Sequence, residues 1–291
     1  MEKNVIISHK DKLESAIKAI SEAGAEGLHV ISDFDRTLTK SFFNGEKISS
    51  VISILRNGEY LTKDYAEKAH ALFKKYRPIE TNAKIPLREK KKAMHDWWSK
   101  HFELLIKSNL HRKDIERIIK SEKIKFREGA LEFIDLLHEY KIPLVIMSSS
   151  GLGEESISLY LDKHKRLYSN IYIISNSFIW DKKGYASGIK EPIIHVMNKD
   201  ETSVKGTKAY GRIKTRTNVI LLGDNPEDAG MIEGFGYHHL IKIGFLNKEV
   251  KKNLKRYRKN YDVLILNDSS MDYVNKLLKE IIYQINPKAG S

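Results

Sequence analysis

Cysteine is absent from the 291-residue sequence, and this absence excludes several kinds of site. Without a thiol there is no disulfide framework, no thiolate nucleophile, no iron–sulfur cluster and no cysteine-ligated zinc. No apolar run approaches the ~18 residues that a membrane-spanning helix needs, and the opening residues lack the hydrophobic stretch of a secretion signal. We therefore expect a cytoplasmic protein that has no membrane partner.

The composition is that of a globular protein with a strongly basic surface. Hydrophobic residues make up 41% of the sequence and charged residues 31%, which argues against disorder and against a fibrous repeat. Lys and Arg exceed Asp and Glu by 51 − 38 = 13. This surplus favours anionic ligands and admits nucleic acid as a partner, without selecting between them.

Apolar runs alternate with amphipathic segments at both ends of the chain, which indicates a parallel sheet covered by helices. A helix over 12–24 leads into a buried strand that ends at Asp33, and helices and strands alternate again from residue 128 onwards. Between them lie four amphipathic helical segments with no strand. The pattern predicts an α/β fold: a Rossmann-like, mainly parallel sheet flanked by helices forms the core from residues 1–40 and 126–291, and an all-helical cap, residues 41–125, is inserted after the first strand.

Two carboxylates, Asp33 and Asp35, follow the first predicted strand at the edge where open α/β sheets bind ligands. A capping turn is the simplest alternative to a functional site. A calcium loop is a second one, but the sixth position of such a loop, Leu38, is not Gly and the twelfth, Asn44, is not Glu. The pair therefore marks a candidate catalytic site.

Three more polar groups follow later strands. Ser148, Ser149 and Ser150 offer hydroxyl groups at the start of a helix, which suits an anion. Lys199 offers a positive charge for a phosphoryl oxygen. An acidic loop with Asp224 and Asp228 follows another apolar strand. Each of these groups is weak evidence for a site by itself, but their common position at predicted strand ends is much stronger evidence.

In this order the motifs resemble the haloacid dehalogenase superfamily of phosphotransferases. The segments ISDFDRTLT, KYRPIE, IIHVMNK, ILLGDNPEDAGM and LIKIGFLN resemble one branch of it more closely, the cytosolic 5′-nucleotidase III or pyrimidine 5′-nucleotidase family. The resemblance covers about residues 10–285. One departure is the run of three serines where the family has one, so that the equivalent position is Ser148 or Ser149; the spacing to Gly151 favours Ser149.

The resemblance implies a Mg²⁺-dependent hydrolysis of nucleoside 5′-monophosphates through an aspartyl-phosphate. Asp33 would be the nucleophile and Asp35 the general acid and base, while Lys199 would balance the charge of Asp33 and the phosphate. Mg²⁺ would bind the Asp33 carboxylate, the Asp35 carbonyl oxygen and Asp224, with Asp228 as a further acid of the metal loop. Pyrimidine nucleotides and 7-methylguanosine monophosphate are the substrates that the resemblance suggests.

Residues of the cap are expected to select the base. Glu80 matches the family glutamate that accepts a hydrogen bond from a base amino group, although the alternative is an exposed residue at a helix end. Trp98 lies where relatives place a stacking aromatic residue, and one of Trp97 and Trp98 is expected to pack inside the cap. His101 replaces a serine of the pyrimidine-specific relatives, and leaves the preferred base open.

Two rival functions stay open. One is a phosphatase of the same fold that acts on another small phosphomonoester. The other is a nucleic-acid-binding protein with a vestigial site, which the basic segment 248–260 would serve. We favour a solvated helix for this segment, with Val250, Leu254 and Tyr257 turned inward, and therefore expect a monomeric enzyme without a nucleic-acid partner.

Overall fold

The structure is a computed structural model that describes residues 4–48, 50–82 and 84–285. In these ranges the chain forms eleven strands and eleven α-helices. The strands are β1 Val5–Ile7, β2 Leu28–Ser32, β3 Phe42–Phe43, β4 Glu46–Lys47, β5 Leu144–Met147, β6 Ile171–Ile174, β7 Phe178–Trp180, β8 Ala186–Ile189, β9 Asn218–Gly223, β10 His239–Leu246 and β11 Val263–Leu266. The helices are α1 Lys10–Ala23, α2 Val51–Asn57, α3 Tyr65–Thr81, α4 Leu87–Lys107, α5 Arg112–Lys120, α6 Ala130–Glu139, α7 Gly153–Lys163, α8 Glu201–Val204, α9 Lys208–Ile213, α10 Val250–Asn260 and α11 Asp272–Ile285.

Seven strands form one sheet in the order β1-β11-β10-β9-β2-β5-β6. All neighbours are parallel except β1, which pairs antiparallel with β11 at one edge. Residues of β2, β5 and β9 are buried throughout, because helices cover both faces of the sheet and leave no polar face. The predicted α/β class with a mainly parallel sheet is confirmed.

Successive residues of the central strands belong to two separate hydrophobic cores. Val30 and Ile220 pack in a larger core with residues of α1, α6 and α11, while Ile31 and Leu221 pack in a smaller core with residues of α9. Side chains of a strand alternate between the two faces of a sheet, so each strand contributes to both cores. In the part of the chain that the structure describes, no helix is long and apolar enough to cross a membrane.

The segment 41–125 contains the four predicted helices, α2 to α5, with α3 packed along α4. It is not all-helical, however. A two-stranded hairpin, β3 and β4, opens it, with Phe42 paired to Lys47. Strands of two residues carry too little sequence pattern to be recognised, and this hairpin depends on contacts with the core described below.

Two further differences from the sequence-based expectation concern short elements. The strand that carries Asp33 is the second of the sheet and not the first, because β1 precedes it. Helices α8 and α9 occupy a stretch for which no element was expected. A second hairpin, formed by β7 and β8, interrupts the alternation of helices and sheet strands after β6.

The two stretches of chain that connect the sheet to the helical segment, near residues 40 and 125, run side by side. Thr39 and Phe126 form an antiparallel bridge, and the Lys40 amide donates to the Lys125 carbonyl at 2.9 Å. The segment therefore leaves and rejoins the core at one place, near the expected boundaries. The assignment of these parts to two domains stays a prediction.

A fully buried arginine, Arg127, stabilises the place where these two stretches of chain meet. Its guanidinium lies 3.1 Å from the Asp268 carboxylate, 4.3 Å above the ring of Phe245, and donates to the carbonyl groups of Thr37 and Ser269 at 2.8 and 2.7 Å. Burial lowers the pKa of Arg127 to about 10, while Asp268 opposes this shift. Each donor direction thus has an acceptor, as a buried cation requires.

Asp268 extends this network to the hairpin. Its two carboxylate oxygens accept from the backbone amides of Ser41 and Phe42 at 3.0 and 2.9 Å. The start of β3 is therefore fixed to the core through a charge that is itself neutralised by Arg127.

We predict that Asp268→Asn destabilises the protein by about 3–5 kcal/mol, because it leaves Arg127 buried without a counterion. The amide keeps the shape of the carboxylate, so that packing changes little. Urea denaturation measures the effect, and Glu132→Gln, which removes the exposed Glu132–Lys279 pair, is the control with a much smaller change. Equal stability of the two variants would contradict the role given to Arg127.

Candidate active site

The polar residues predicted to form the site follow three adjacent strands. β2 lies between β9 and β5, and the Asp33 amide extends the sheet by donating to the Leu222 carbonyl of β9 at 3.0 Å. Because parallel strands place their carboxyl ends at one edge, Asp33, Asp224 and Ser148 meet there. The three separate sequence signals therefore converge on one cavity of about 330 Å³.

Lys199 lies between two of the carboxylates. Its Nζ is 2.6 Å from Asp33 Oδ1 and 2.8 Å from Asp228 Oδ1, and all three side chains are at least nine-tenths buried. Burial alone would lower the pKa of Lys199, but the carboxylates of Asp228 and Asp33 raise it well above its ordinary value. The ammonium group is thus permanently charged and contacts the predicted nucleophile.

A third carboxylate, Asp224, completes an acidic cluster. Asp33, Asp224 and Asp228 each offer an oxygen atom, and these atoms lie within 4.8 Å of one another. Burial raises the pKa of Asp33 well above its ordinary value, and burial together with Asp228 raises that of Asp224 to about 7. When all three carboxylates are ionised, they and Lys199 carry a formal charge of −2, and the raised pKa values of Asp33 and Asp224 reflect the cost of that charge without a further cation.

This cluster fits a magnesium ion by its chemistry. Mg²⁺ prefers carboxylate oxygen ligands, and its charge of +2 matches the charge that Lys199 leaves unbalanced. Asp33, Asp224 and Asp228 are the residues that would hold it.

Asp35 lines the same cavity, two residues beyond Asp33. Burial raises its pKa, and the nearby charges of Arg36 and Lys199 oppose the shift. Arg36 has a left-handed backbone, φ 63°, and its carbonyl group accepts from Asn247 at 3.0 Å and from the Arg127 guanidinium. This bend after Asp35 is therefore fixed by Arg127, the same arginine that stabilises the connections between the sheet and the helical segment.

Two tyrosines fix the acidic loop from behind. Tyr257 Oη donates to the Asp224 carbonyl at 2.6 Å, and Tyr261 Oη donates to the Asn225 carbonyl at 2.5 Å. Gly223 is required here, since a Cβ at this position would lie 2.5 Å from Asp228 Cβ and 2.7 Å from Tyr261 Oη. No motif pointed to the tyrosines, whose function depends on the packing of α10.

The three serines have different environments. Ser148 and Ser149 line the cavity, so both remain candidates for the phosphate ligand. Ser150 does not line it in the described structure: its hydroxyl lies 3.2 Å from that of Ser156 and accepts from the Leu152 amide at 3.3 Å. Ser150 lies three residues before α7, and these local contacts with Leu152 and Ser156 occupy its hydroxyl group.

The cap supplies the opposite wall of the cavity. Glu80 and Trp98 both line it, as expected for residues that contact a base. Trp97 does not line the cavity: it stacks on Tyr76, with 5.8 Å between ring centroids and 12° between the planes, and on Trp98, with 6.0 Å and 18°. Lys47, from the hairpin β3–β4, also faces the cavity, and its sequence position carried no signal for this.

His101 is not among the cavity-lining residues. Its ring is buried, stands edge-on to Trp98 at 5.2 Å, and its Nε2 lies 3.4 Å from the Gly151 carbonyl oxygen. Burial lowers its pKa to about 4, so the ring is neutral at pH 7. His101 therefore connects the cap to the serine loop and orients Trp98 from behind.

The basic segment 248–260 has a packed face and a solvated face. Val250, Leu254 and Tyr257 are half-buried, as the helical spacing predicted, while most of the lysines and arginines are exposed. Its beginning also borders the cavity through Lys248. The segment therefore also forms part of the cavity wall. The interpretation as a solvated helix did not predict this contact with the cavity.

Comparison with known proteins agrees with this geometry. The pyrimidine 5′-nucleotidase (UMPH-1) family matches residues 36–282. The 7-methylguanosine phosphate-specific 5′-nucleotidase of Gallus gallus is 34% identical over 281 residues, which cover 96% of each chain. The protein of that name from Homo sapiens is 32% identical over 285 residues, which cover 98% of this chain and 94% of the human one.

Solved structures agree as well. Cytosolic 5′-nucleotidase IIIB bound to cytidine superposes with a TM-score of 0.89 at 30% identity, over 98% of this chain and 95% of the other. A phosphoserine phosphatase, solved as a phospho-aspartyl intermediate analogue, shares the fold with a TM-score of 0.51 at 19% identity, over 86% of this chain and 97% of the other. The chain therefore belongs to the pyrimidine 5′-nucleotidase family of the haloacid dehalogenase superfamily and is a 5′-nucleotidase.

Proposed function

We propose that this enzyme hydrolyses pyrimidine nucleoside 5′-monophosphates and 7-methylguanosine 5′-monophosphate, with Mg²⁺, to the nucleoside and phosphate. The observation that carries the proposal is the buried contact of Lys199 with Asp33 and Asp228, next to Asp224, at one wall of a cavity whose other wall holds Glu80. The names of the relatives support both classes of base. We further propose that the enzyme acts as a monomer in the cytoplasm.

In the first step a carboxylate oxygen of Asp33 attacks phosphorus, and the bond between phosphorus and the O5′ atom breaks. Asp35 donates its proton to O5′, so that the nucleoside leaves as a neutral alcohol. The raised pKa of Asp35 favours the protonated form that this step needs. Lys199 offsets the repulsion between the attacking carboxylate and the phosphate.

In the second step water attacks phosphorus and the bond to Asp33 breaks. Asp35, now ionised, accepts the proton of the water and returns to its first state. Bound Mg²⁺ supplies positive charge that neutralises the phosphate oxygens and the acidic cluster. A hydroxyl of the serine loop, Ser149 or Ser148, holds a phosphate oxygen.

We predict that Asp33→Asn abolishes phosphate release from CMP while the fold is retained. The amide occupies the same space but is not a nucleophile towards phosphorus. Phosphate release and circular dichroism are measured together, with Asp162→Asn on the exposed side of α7 as the control that keeps full activity. Near-normal turnover of Asp33→Asn would show that another group attacks phosphorus.

We predict that chelation of divalent ions removes the activity and that added Mg²⁺ restores it. Asp224→Asn should require a higher Mg²⁺ concentration for half-maximal activity, because one anionic ligand is lost. Titration of activity with Mg²⁺ in both proteins measures this. The same Mg²⁺ requirement in both would exclude Asp224 as a ligand.

We predict that Trp98→Ala lowers kcat/KM for every nucleotide, and lowers it most for 7-methylguanosine monophosphate. Stacking on an aromatic side chain contributes about 1–3 kcal/mol per base, and a positively charged base gains more from the indole face. Trp180→Ala is the control, because Trp180 contacts Phe178 in β7 and does not line the cavity. If both variants change all substrates alike, Trp98 does not stack on the base.

A further inference from the structure

Arg77 and Glu80 form an ion pair in the wall of the active-site cavity. Arg77 Nη1 lies 2.5 Å from Glu80 Oε2, one turn apart near the end of α3, and both side chains line the cavity. The Glu80 side chain is only 14% exposed and that of Arg77 is 45% exposed. The carboxylate expected to read the base is therefore accompanied by a cation at the same surface.

The pair offers both kinds of hydrogen-bonding group side by side. A guanidinium carries five N–H donors in a planar fork and has no acceptor. In the residues that the structure describes, Glu80 is the one hydrogen-bond acceptor of this guanidinium. Further N–H groups of Arg77 are thus available to a ligand, next to the carboxylate oxygens of Glu80.

The bases of the proposed substrates present the complementary pattern. Cytosine presents an amino donor where uracil presents the O4 acceptor, and 7-methylguanine has the N1–H and 2-amino donors beside its O6 acceptor. Glu80 alone suits the amino group of cytosine and the donors of 7-methylguanine, but it repels O4 of uracil. With Arg77 beside Glu80, the O4 acceptor of uracil has a donor as well.

We propose that Arg77 is a specificity-determining residue, which donates a hydrogen bond to the O4 carbonyl oxygen of uracil and so admits uracil in addition to cytosine. This inference rests on the proposed function. It adds to the role expected of Glu80, because the pair and not the carboxylate alone lines the cavity.

The test is kcat/KM for CMP, UMP and 7-methylguanosine monophosphate in wild type, Arg77→Met and Arg77→Lys. Methionine keeps an extended side chain and removes the donors. An unpaired O4 carbonyl oxygen facing a carboxylate should lower kcat/KM for UMP about tenfold relative to CMP, whereas kcat/KM for 7-methylguanosine monophosphate, whose base has donors for Glu80, should change less. Lysine, which keeps the charge and one donor group, should restore part of the loss.

Arg88→Met is the control, since Arg88 is exposed on the first turn of α4 and does not line the cavity. Its substrate ratios should equal those of wild type. Thermal melting of Arg77→Met should also equal wild type, because Arg77 is partly exposed.

Two results would overturn the inference. If the CMP-to-UMP ratio of Arg77→Met stays within twofold of wild type, Arg77 does not contact the base. If CMP falls most, Arg77 acts only by orienting Glu80. In both cases wild type still hydrolyses nucleotides, and the proposed function stands; a wild type that hydrolyses none of the three nucleotides refutes the proposed function itself.

Discussion

The contact of Lys199 with two buried carboxylates is the interaction on which the site depends. Asp33 ends a central strand, Asp228 lies in a 3₁₀ helix after β9, and Lys199 comes from the loop before α8. Like charges held this close at the end of a sheet repel one another unless a cation is placed between them. The ammonium reduces this repulsion but does not cancel it. The remaining negative charge fits the divalent cation that we propose for this site.

A second buried charge controls the geometry around this site. Arg127 holds the carbonyl groups that follow Asp35, and through Asp268 it holds the first residues of the hairpin β3–β4. Lys47, in that hairpin, reaches the cavity. The bend after Asp35 and the start of the hairpin β3–β4 are therefore coupled through one ion pair. A substitution of either partner would affect both.

The core and the cap have different tasks in this arrangement. Strand ends of the sheet carry the groups that we propose for phosphoryl transfer, and backbone pairing between β2 and β9 fixes the position of Asp33 relative to Asp224. Helices α3 and α4 carry the groups that line the opposite wall and that we propose contact the base, namely Arg77, Glu80 and Trp98.

The amino-acid sequence by itself determined the α/β class, the helical segment and the strand-end positions of Asp33 and Asp224, because buried strands are continuous apolar runs and parallel strands share one functional edge. Other features depended on contacts between distant parts of the chain. Lys199 was expected at a strand end, but it lies in the loop before α8. β1 is a three-residue strand that exists through its pairing with β11, and β3–β4 is held by Asp268. That Ser148 and Ser149 line the cavity while Ser150 does not follows from local hydrogen bonds before α7, and that His101 lies behind Trp98 follows from the packing of α4. A lone arginine such as Arg127 has no pattern that marks it as buried, since its partner Asp268 is brought beside it only by the tertiary fold.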